Sequence, residues 1–430
     1  MGKGGSMTDT LFIQFREGVH KTTGISQYDY DWDLICNGFS LVHDSCKRIG
    51  DFLWIDGGDD PRRSGVARDE MKSNYGYNVE LPIKKGVVYV SAFYARQLLQ
   101  SLCWAQMYPE VDFVVGGPAV IRGFEYMYNG QPINDKLNTL FSNFRVTTEL
   151  AEKEIFGEPI PRREWTVELP KELLKYPRVI LNYPVERGCY WNKCLFCQEL
   201  PSYGDPCASR YKNGLEHLQL TDESHNWIVW LAAEALYPDF IRDWMPLLPD
   251  GGISFFGYVR SDDMVLDALE SIEIPKNITL HTGLECASNR VLKQMRKGST
   301  TSQYLRFLRI VSKINTEIQV SAILGWNLID EDLVEAEAFC REAASITPNI
   351  YLIVTKLIYN STKAEELHEV LEHPEFMYTI MDEVGEFAYV GMTPIWGDEI
   401  QKRNDELAAI YSKYLGNNIS IRGDRDEYDK

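Results

Sequence analysis

The stretch RVILNYPVERGCYWNKCLFC, residues 178–197, decides how this chain is read. Arg178 to Val185 is an apolar run of strand length that leads into a loop carrying three thiols, Cys189, Cys194 and Cys197. Cys194 and Cys197 stand three apart, one helical turn, and Cys189 reaches in from the preceding loop. Three thiolates suit three irons of a cubane cluster and leave the fourth iron open to an outside ligand. Clusters enclosed for electron transfer normally take four protein thiolates. A zinc site is the competing reading. Structural zinc closes its shell with four ligands, usually as two paired spacings. Here the fourth would come from Cys207, His217 or His225, none of which forms a close second pair. A metal-holding scaffold without catalysis is the reading from another class.

Outward from that loop, a β-then-α rhythm continues. His225 to Leu231, Gly252 to Gly257, Ile278 to Glu285, Thr316 to Gly325 and Ile350 to Tyr359 read as strands. Between them lie a helix capped by Ser288 and stopped by Gly298, and helices over Tyr304 to Ile314 and Glu331 to Ala344. With Arg178 to Val185 these strands imply an α/β fold: a parallel, partial (β/α)6 barrel with its chemistry at the strands' carboxyl ends. Upstream, Leu53 to Gly58, Val87 to Val90 and Val111 to Pro118 read as strands, with a helix over Tyr94 to Met107, the pattern of a Rossmann-like α/β layer. Gly116 and Gly117 close the third strand, where glycine lets backbone approach a ligand or a packed helix. The Pro-rich, charged stretch Gly157 to Pro177 reads as a linker. The expected organisation is a vector-derived remnant over 1–6, a Rossmann-like domain over 7–160, a barrel over 161–375 and a short helical region over 376–430, including an amphipathic helix from Asp398 to Leu415.

Charge narrows the partners. The 430 residues carry 63 acidic and 44 basic side chains, a net charge of −19, which repels phosphate backbones and argues against nucleic acid. No apolar run reaches the roughly 18–20 residues of a membrane span, so no membrane partner and a cytoplasmic location are expected. Nine cysteines, an odd count in a long chain, argue for reduced thiols and cofactor ligation over a disulfide framework.

With these landmarks in order, the segment from about Arg178 to Ile358 resembles the radical S-adenosylmethionine superfamily. The superfamily's usual cysteine spacing is three residues and then two; this chain has four and then two, as some branches do. The resemblance implies a 4Fe–4S cluster on Cys189, Cys194 and Cys197 and S-adenosylmethionine on its open iron. It implies further that Phe196 flanks the adenine and that Glu234, in Ala232-Ala233-Glu234, binds the methionine amino group. Arg260 then meets the methionine carboxylate. Gly283-Leu284-Glu285-Cys286 matches the fourth-strand signature, normally Gly-Leu-Glu-Ser, so Glu285 joins the cofactor-binding set. Ile323-Leu324-Gly325 matches the element that packs on adenine. Cys286, where the family has serine, is the candidate catalytic hydrogen donor; the alternative is a cysteine filling a small buried slot.

Pro109 to Pro118 is similar to the central strand and turn of cobalamin-binding domains that precede radical barrels, which makes Gly116 and Gly117 candidate cofactor-binding residues. The Asp-x-His-x-x-Gly sequence that supplies cobalt's lower ligand is absent, and His43 is followed by Asp44. Either cobalamin binds without a protein ligand, or the domain now docks substrate. The resemblance to peptide-maturing branches implies hydrogen abstraction from a peptide, such as a ribosomally made precursor, with an external electron donor and with epimerisation among the outcomes. The runner-up is a cobalamin-dependent methyltransferase.

Overall fold

The computed structural model describes residues 10–19, 32–35, 46, 48–56, 81–92, 95–117, 120, 127–128, 131–149, 151–157, 178–185, 189–197, 226–232, 235–249, 252–314, 317–357, 366–367, 370–371, 375–381, 388–395, 397–416 and 419–422. They fall into two compact units. The first comprises Met1–Asn182, Glu216–Trp227 and Ile380–Val390; the second comprises Tyr183–Leu215, Ile228–Thr379 and Gly391–Lys430. The linker expected over 157–177 lies almost wholly outside the described residues.

The first unit is built on strand β1 (Thr10–Val19). Its first half pairs in parallel with β3 (Asp51–Asp56) on one side and β4 (Gly86–Ser91) on the other, and its last residues pair antiparallel with β2 (Trp32–Ile35). The parallel ladder continues through β5 (Val111–Gly116) to β8 (Phe144–Val146), while β6 (Met127–Tyr128) and β7 (Gln131–Pro132) form a small antiparallel pair. Helix α1 (Ala95–Met107) connects β4 to β5; α2 (Ile133–Leu140) and α3 (Ala151–Phe156) flank β8. Leu11, Phe12 and Ile13 of β1, Val88 and Val90 of β4, and Val111, Phe113 and Val115 of β5 are buried, with Leu102 and Trp104 of α1. Apolar area removed from water at roughly 25 cal/mol per Å² drives such a layer together. Asn143 Nδ2 donates to the carbonyls of Ala105, Tyr108 and Val111 at 3.0, 3.1 and 2.9 Å, fixing the α1-to-β5 turn.

Strand β9 (Arg178–Pro184) runs parallel to β2 and then delivers the cysteine loop. In the second unit the sheet order is β10 (Asn226–Ala232), β11 (Ile253–Val259), β12 (Ile278–Glu285), β13 (Ile318–Leu324), β14 (Ile350–Lys356) and β17 (Ile419–Arg422). Every pairing from β11 to β17 is parallel. Helices α4 (Pro238–Asp243), α5 (Asp263–Glu270), α6 (Asn289–Gln294), α7 (Thr301–Val311) and α8 (Asp330–Ile346) make the crossovers. The architecture is thus mixed α/β with parallel sheets. The region expected to be helical holds one long helix, α9 (Asp398–Leu415), and also the paired strands β15 (Glu375–Met381) and β16 (Ala388–Ile395), and β17. Composition hid β17: ISIR is too short for an alternating pattern to register, and it becomes a strand by pairing with β14. Among the described residues no helix is long and apolar enough to cross a membrane.

Candidate active site

Parallel strands aim their carboxyl ends at one edge, and three of the expected residues follow strands there. Arg260 comes directly after β11, Glu285 ends β12, and Gly325 follows β13. A Ser261 Oγ···Thr282 Oγ1 hydrogen bond of 2.8 Å ties the first two ends together.

The cysteine loop packs onto that edge. Leu195 is fully buried, and its N–H donates to the Met295 carbonyl at 3.0 Å; Trp191 Nε1 donates to the Arg296 carbonyl at 2.8 Å. Gly298 makes the fit possible. Its φ is +73°, and a Cβ there would lie 2.1 Å from the Trp191 ring. Cys194 is buried, while Cys189 and Cys197 are half-buried; none of the three forms a disulfide. Among the described residues no three His, Cys, Asp or Glu side chains converge as ligands of a single metal ion. The residues weighed as a fourth zinc ligand, Cys207, His217 and His225, lie outside the described set.

Two buried cations stand beside Cys194. Arg260 is 5% exposed; its Nε donates to Asp262 Oδ2 at 2.9 Å, its Nη2 to the Lys297 carbonyl, and its Nη1 lies 3.9 Å from Cys194 Sγ. Trp191 and Tyr190 cover its faces, 4.8 and 5.9 Å from guanidinium to ring centroid. Asp262 is held in turn: it caps α5 through the Val265 N–H and accepts from Tyr190 Oη at 2.7 Å. Burial works against the charged guanidinium, but its neighbours Tyr190, Cys194 and Asp262 outweigh burial and hold Arg260 above its ordinary range. Burial, then the Asp262 carboxylate, pushes the Tyr190 hydroxyl far up, so it stays a donor.

Lys297 is the residue that sequence reasoning missed. Its Nζ donates to Glu285 Oε1 at 2.7 Å and lies 5.6 Å from the Phe196 ring centroid. Burial would neutralise it; the Glu285 carboxylate overrides that and keeps its affinity for a proton above the ordinary lysine value. Glu285 reaches it from a left-handed backbone, φ +63°. Tyr304 donates to the Gly283 carbonyl below the pair, and burial pushes its hydroxyl up to about 12. The available signal was a basic pair, Arg296-Lys297, between the end of α6 and its stop glycine.

Phe196 meets Trp326 edge-on at 6.2 Å, next to Gly325, whose N–H donates 2.7 Å to Asn404 Oδ1 of α9. Phe196, Glu285, Arg260 and the triad's Cys194 are therefore brought together with Lys297. Glu234 lies outside the described residues. Cys286 directly follows β12 and is buried there, as the alternative of a small buried slot expects. It is 1% exposed, its charged surroundings are Asp332 and Glu335 of α8 and Arg290 of α6, and burial pushes its thiol up to about 12. Its neighbourhood includes Cys340 and Tyr411, and Tyr411 Oη accepts from Ala287 N–H at 3.1 Å. The left-handed turn at Glu285 sends residue 286 into this core layer. In the first unit, Gly116 and Gly117 close β5: the Gly116 carbonyl accepts from Ala92 N–H at 2.9 Å, and Gly117 has φ +97°.

No protein-family model matches the sequence, and no curated protein matches it. Solved structures do. The radical S-adenosylmethionine methyltransferase TsrM from Kitasatospora setae, with cobalamin and a [4Fe–4S] cluster bound, superposes with a TM-score of 0.58 at 12% identity, over 98% of this chain and 94% of that one. The cobalamin-dependent S-adenosylmethionine radical enzyme OxsB, with aqua-cobalamin and S-adenosylmethionine bound, superposes with a TM-score of 0.50 at 14% identity, over 84% of this chain. The match spans 55% of OxsB, about half its length. The protein has the fold of the cobalamin-dependent radical S-adenosylmethionine enzymes.

Proposed function

We propose that the protein is a radical S-adenosylmethionine enzyme in which Cys189, Cys194 and Cys197 hold a [4Fe–4S] cluster, and that it abstracts hydrogen from a carbon of a peptide. The observation that carries the reading is the meeting of Cys194 with Arg260, Lys297, Glu285 and Phe196 at the carboxyl edge of a parallel sheet. The donor set fits the group. Three thiols come from one loop, and buried positive charge beside a ligand sulfur complements the negative charge of a thiolate-bound cluster. When bound, the cluster supplies one electron to cleave S-adenosylmethionine to methionine and a 5′-deoxyadenosyl radical. The chain's residues do the rest. Phe196 and Trp326 offer apolar faces for adenine beside Gly325, Glu234 is assigned the methionine amino group, and Trp191 and Tyr190 shield the Arg260 side from water. A peptide substrate rests on the resemblance to peptide-maturing branches; an external donor supplies the electron.

A second reading has its own support. The first unit's parallel sheet, its Gly116–Gly117 turn and the likeness to TsrM over nearly the whole chain favour cobalamin-dependent methyl transfer. One experiment separates the two. Anaerobically reconstituted protein is incubated with reductant, S-adenosylmethionine and candidate peptides in deuterated water, with and without cobalamin. One deuterium in the product supports hydrogen exchange at a carbon; a methyl gained only with cobalamin supports the second reading. Replacing all three cysteines by alanine should cut iron from about four per chain to below one and stop co-substrate cleavage. A triple variant that still cleaves would sink both readings.

A further inference from the structure

The resemblance assigns Arg260 to the carboxylate of the co-substrate's methionine part, yet each of its three nitrogens already has a partner. Nε is engaged by Asp262, Nη2 by the Lys297 carbonyl, and Nη1 points at Cys194 Sγ, 3.9 Å away. The side chain is also closed in by Trp191 and Tyr190. A guanidinium keeps its charge in proteins and presents its donors in a rigid fork, so two fixed bonds determine where the third points. Those bonds are themselves fixed. Asp262 is locked by the α5 cap and by Tyr190, and the Lys297 carbonyl by the turn that Gly298 closes against Trp191.

We infer that Arg260 is a positioning residue that acts through the cluster: it donates an N–H···S hydrogen bond to Cys194 and raises the cluster's reduction potential, and it does not bind the co-substrate's carboxylate. The inference rests on the cluster reading above. A donor and a positive charge at a ligand sulfur stabilise the reduced form, which carries one more negative charge, and hydrogen bonds to the sulfurs are among the determinants of such potentials. The balancing Asp262 carboxylate sits on the Nε side of the fork, so the charge nearest the sulfur is positive. Burial strengthens the effect by lowering the local dielectric.

The test compares wild type, Arg260→Gln and Arg260→Lys, each reconstituted anaerobically. Electron paramagnetic resonance follows a redox titration of the cluster, and a separate isotherm measures S-adenosylmethionine binding. The midpoint should move negative in R260Q and by less in R260K, which keeps the charge but loses the fork. Co-substrate affinity should change by less than about threefold, under 1 kcal/mol. An unchanged midpoint with affinity lowered about tenfold or more overturns the inference and returns Arg260 to the carboxylate. If R260Q fails to retain iron, R260K decides alone, and an unchanged midpoint there is equally fatal. Wild type that gives no cluster signal at all sinks the cluster reading instead, a separate result.

Discussion

The turn after β5 in the first unit and the loop after β12 in the second both close a parallel strand, but different forces hold them. At Gly116–Gly117 the contacts are backbone ones: Ala92 N–H donates to the Gly116 carbonyl, and the Ala92 carbonyl lies 2.6 Å from where a Gly117 Cβ would be. After β12 the chain is held by charge, with Glu285 paired to Lys297 and, alongside, Arg260 to Asp262, all nearly removed from water. A turn held by sterics tolerates no added volume at its tight point, Gly117, and ignores charge. A loop held by buried pairs tolerates small changes of shape and fails when one charge is removed.

The largest stability effect should therefore come from the second unit. Lys297→Met leaves Glu285 buried without its partner, and removing one member of a buried pair costs about 3–5 kcal/mol. In a unit of this size each kcal/mol moves the melting midpoint by about 2–4 °C. The double variant Lys297→Met/Glu285→Gln should lose less than the single one, because no stranded charge remains. Chemical denaturation measures both, and a double variant as weak as the single would show that the pair's charge is not what holds the loop.

The contrast sharpens at two glycines with positive φ. Gly117→Ala and Gly298→Ala each force a side chain into a left-handed conformation, at about 1–3 kcal/mol. At Gly117 the obstacle is backbone, so the loss stays in the first unit's stability. At Gly298 the obstacle is the Trp191 ring, which must leave its place over Arg260. G298A should thus also shift tryptophan emission and weaken cluster retention, and G117A should do neither.

What could be read beforehand follows the range of the signal. Strands β11 to β14 and helices α6 to α8 were legible because their cues are local: a run of strand length, ITLHTGLE, and Ser288 accepting from the Val291 N–H as cap. The cysteine triad could be singled out as a proposed cluster site because its signal lies in its spacing. Lys297 could not be, since it meets Glu285 only after the chain reverses through α6. Arg260's partners were equally hidden, Cys194 lying 66 residues and Lys297 37 residues away in sequence. The burial of Cys286 was hidden for a subtler reason. A strand's alternation assigns faces only while φ stays extended, and Glu285 breaks it at +63°. The first unit's β1 takes three partners, one antiparallel, a pairing that composition does not encode.

The smallest expected change in stability is the most informative about the first unit. Gly116 ends β5, and unlike Gly117 it has no positive φ and faces no clash: a Cβ there would sit 3.4 Å from Thr147 Cγ2, ordinary contact. The fold alone does not require glycine at 116, and Gly116→Ala should change stability by less than about 0.5 kcal/mol. If backbone at this turn approaches a bound corrin, the added methyl stands in the way, and hydroxocobalamin affinity should fall about tenfold or more with the melting midpoint unmoved. A variant that binds as wild type does would mean that the missing side chain serves no ligand, and would leave the turn with packing alone.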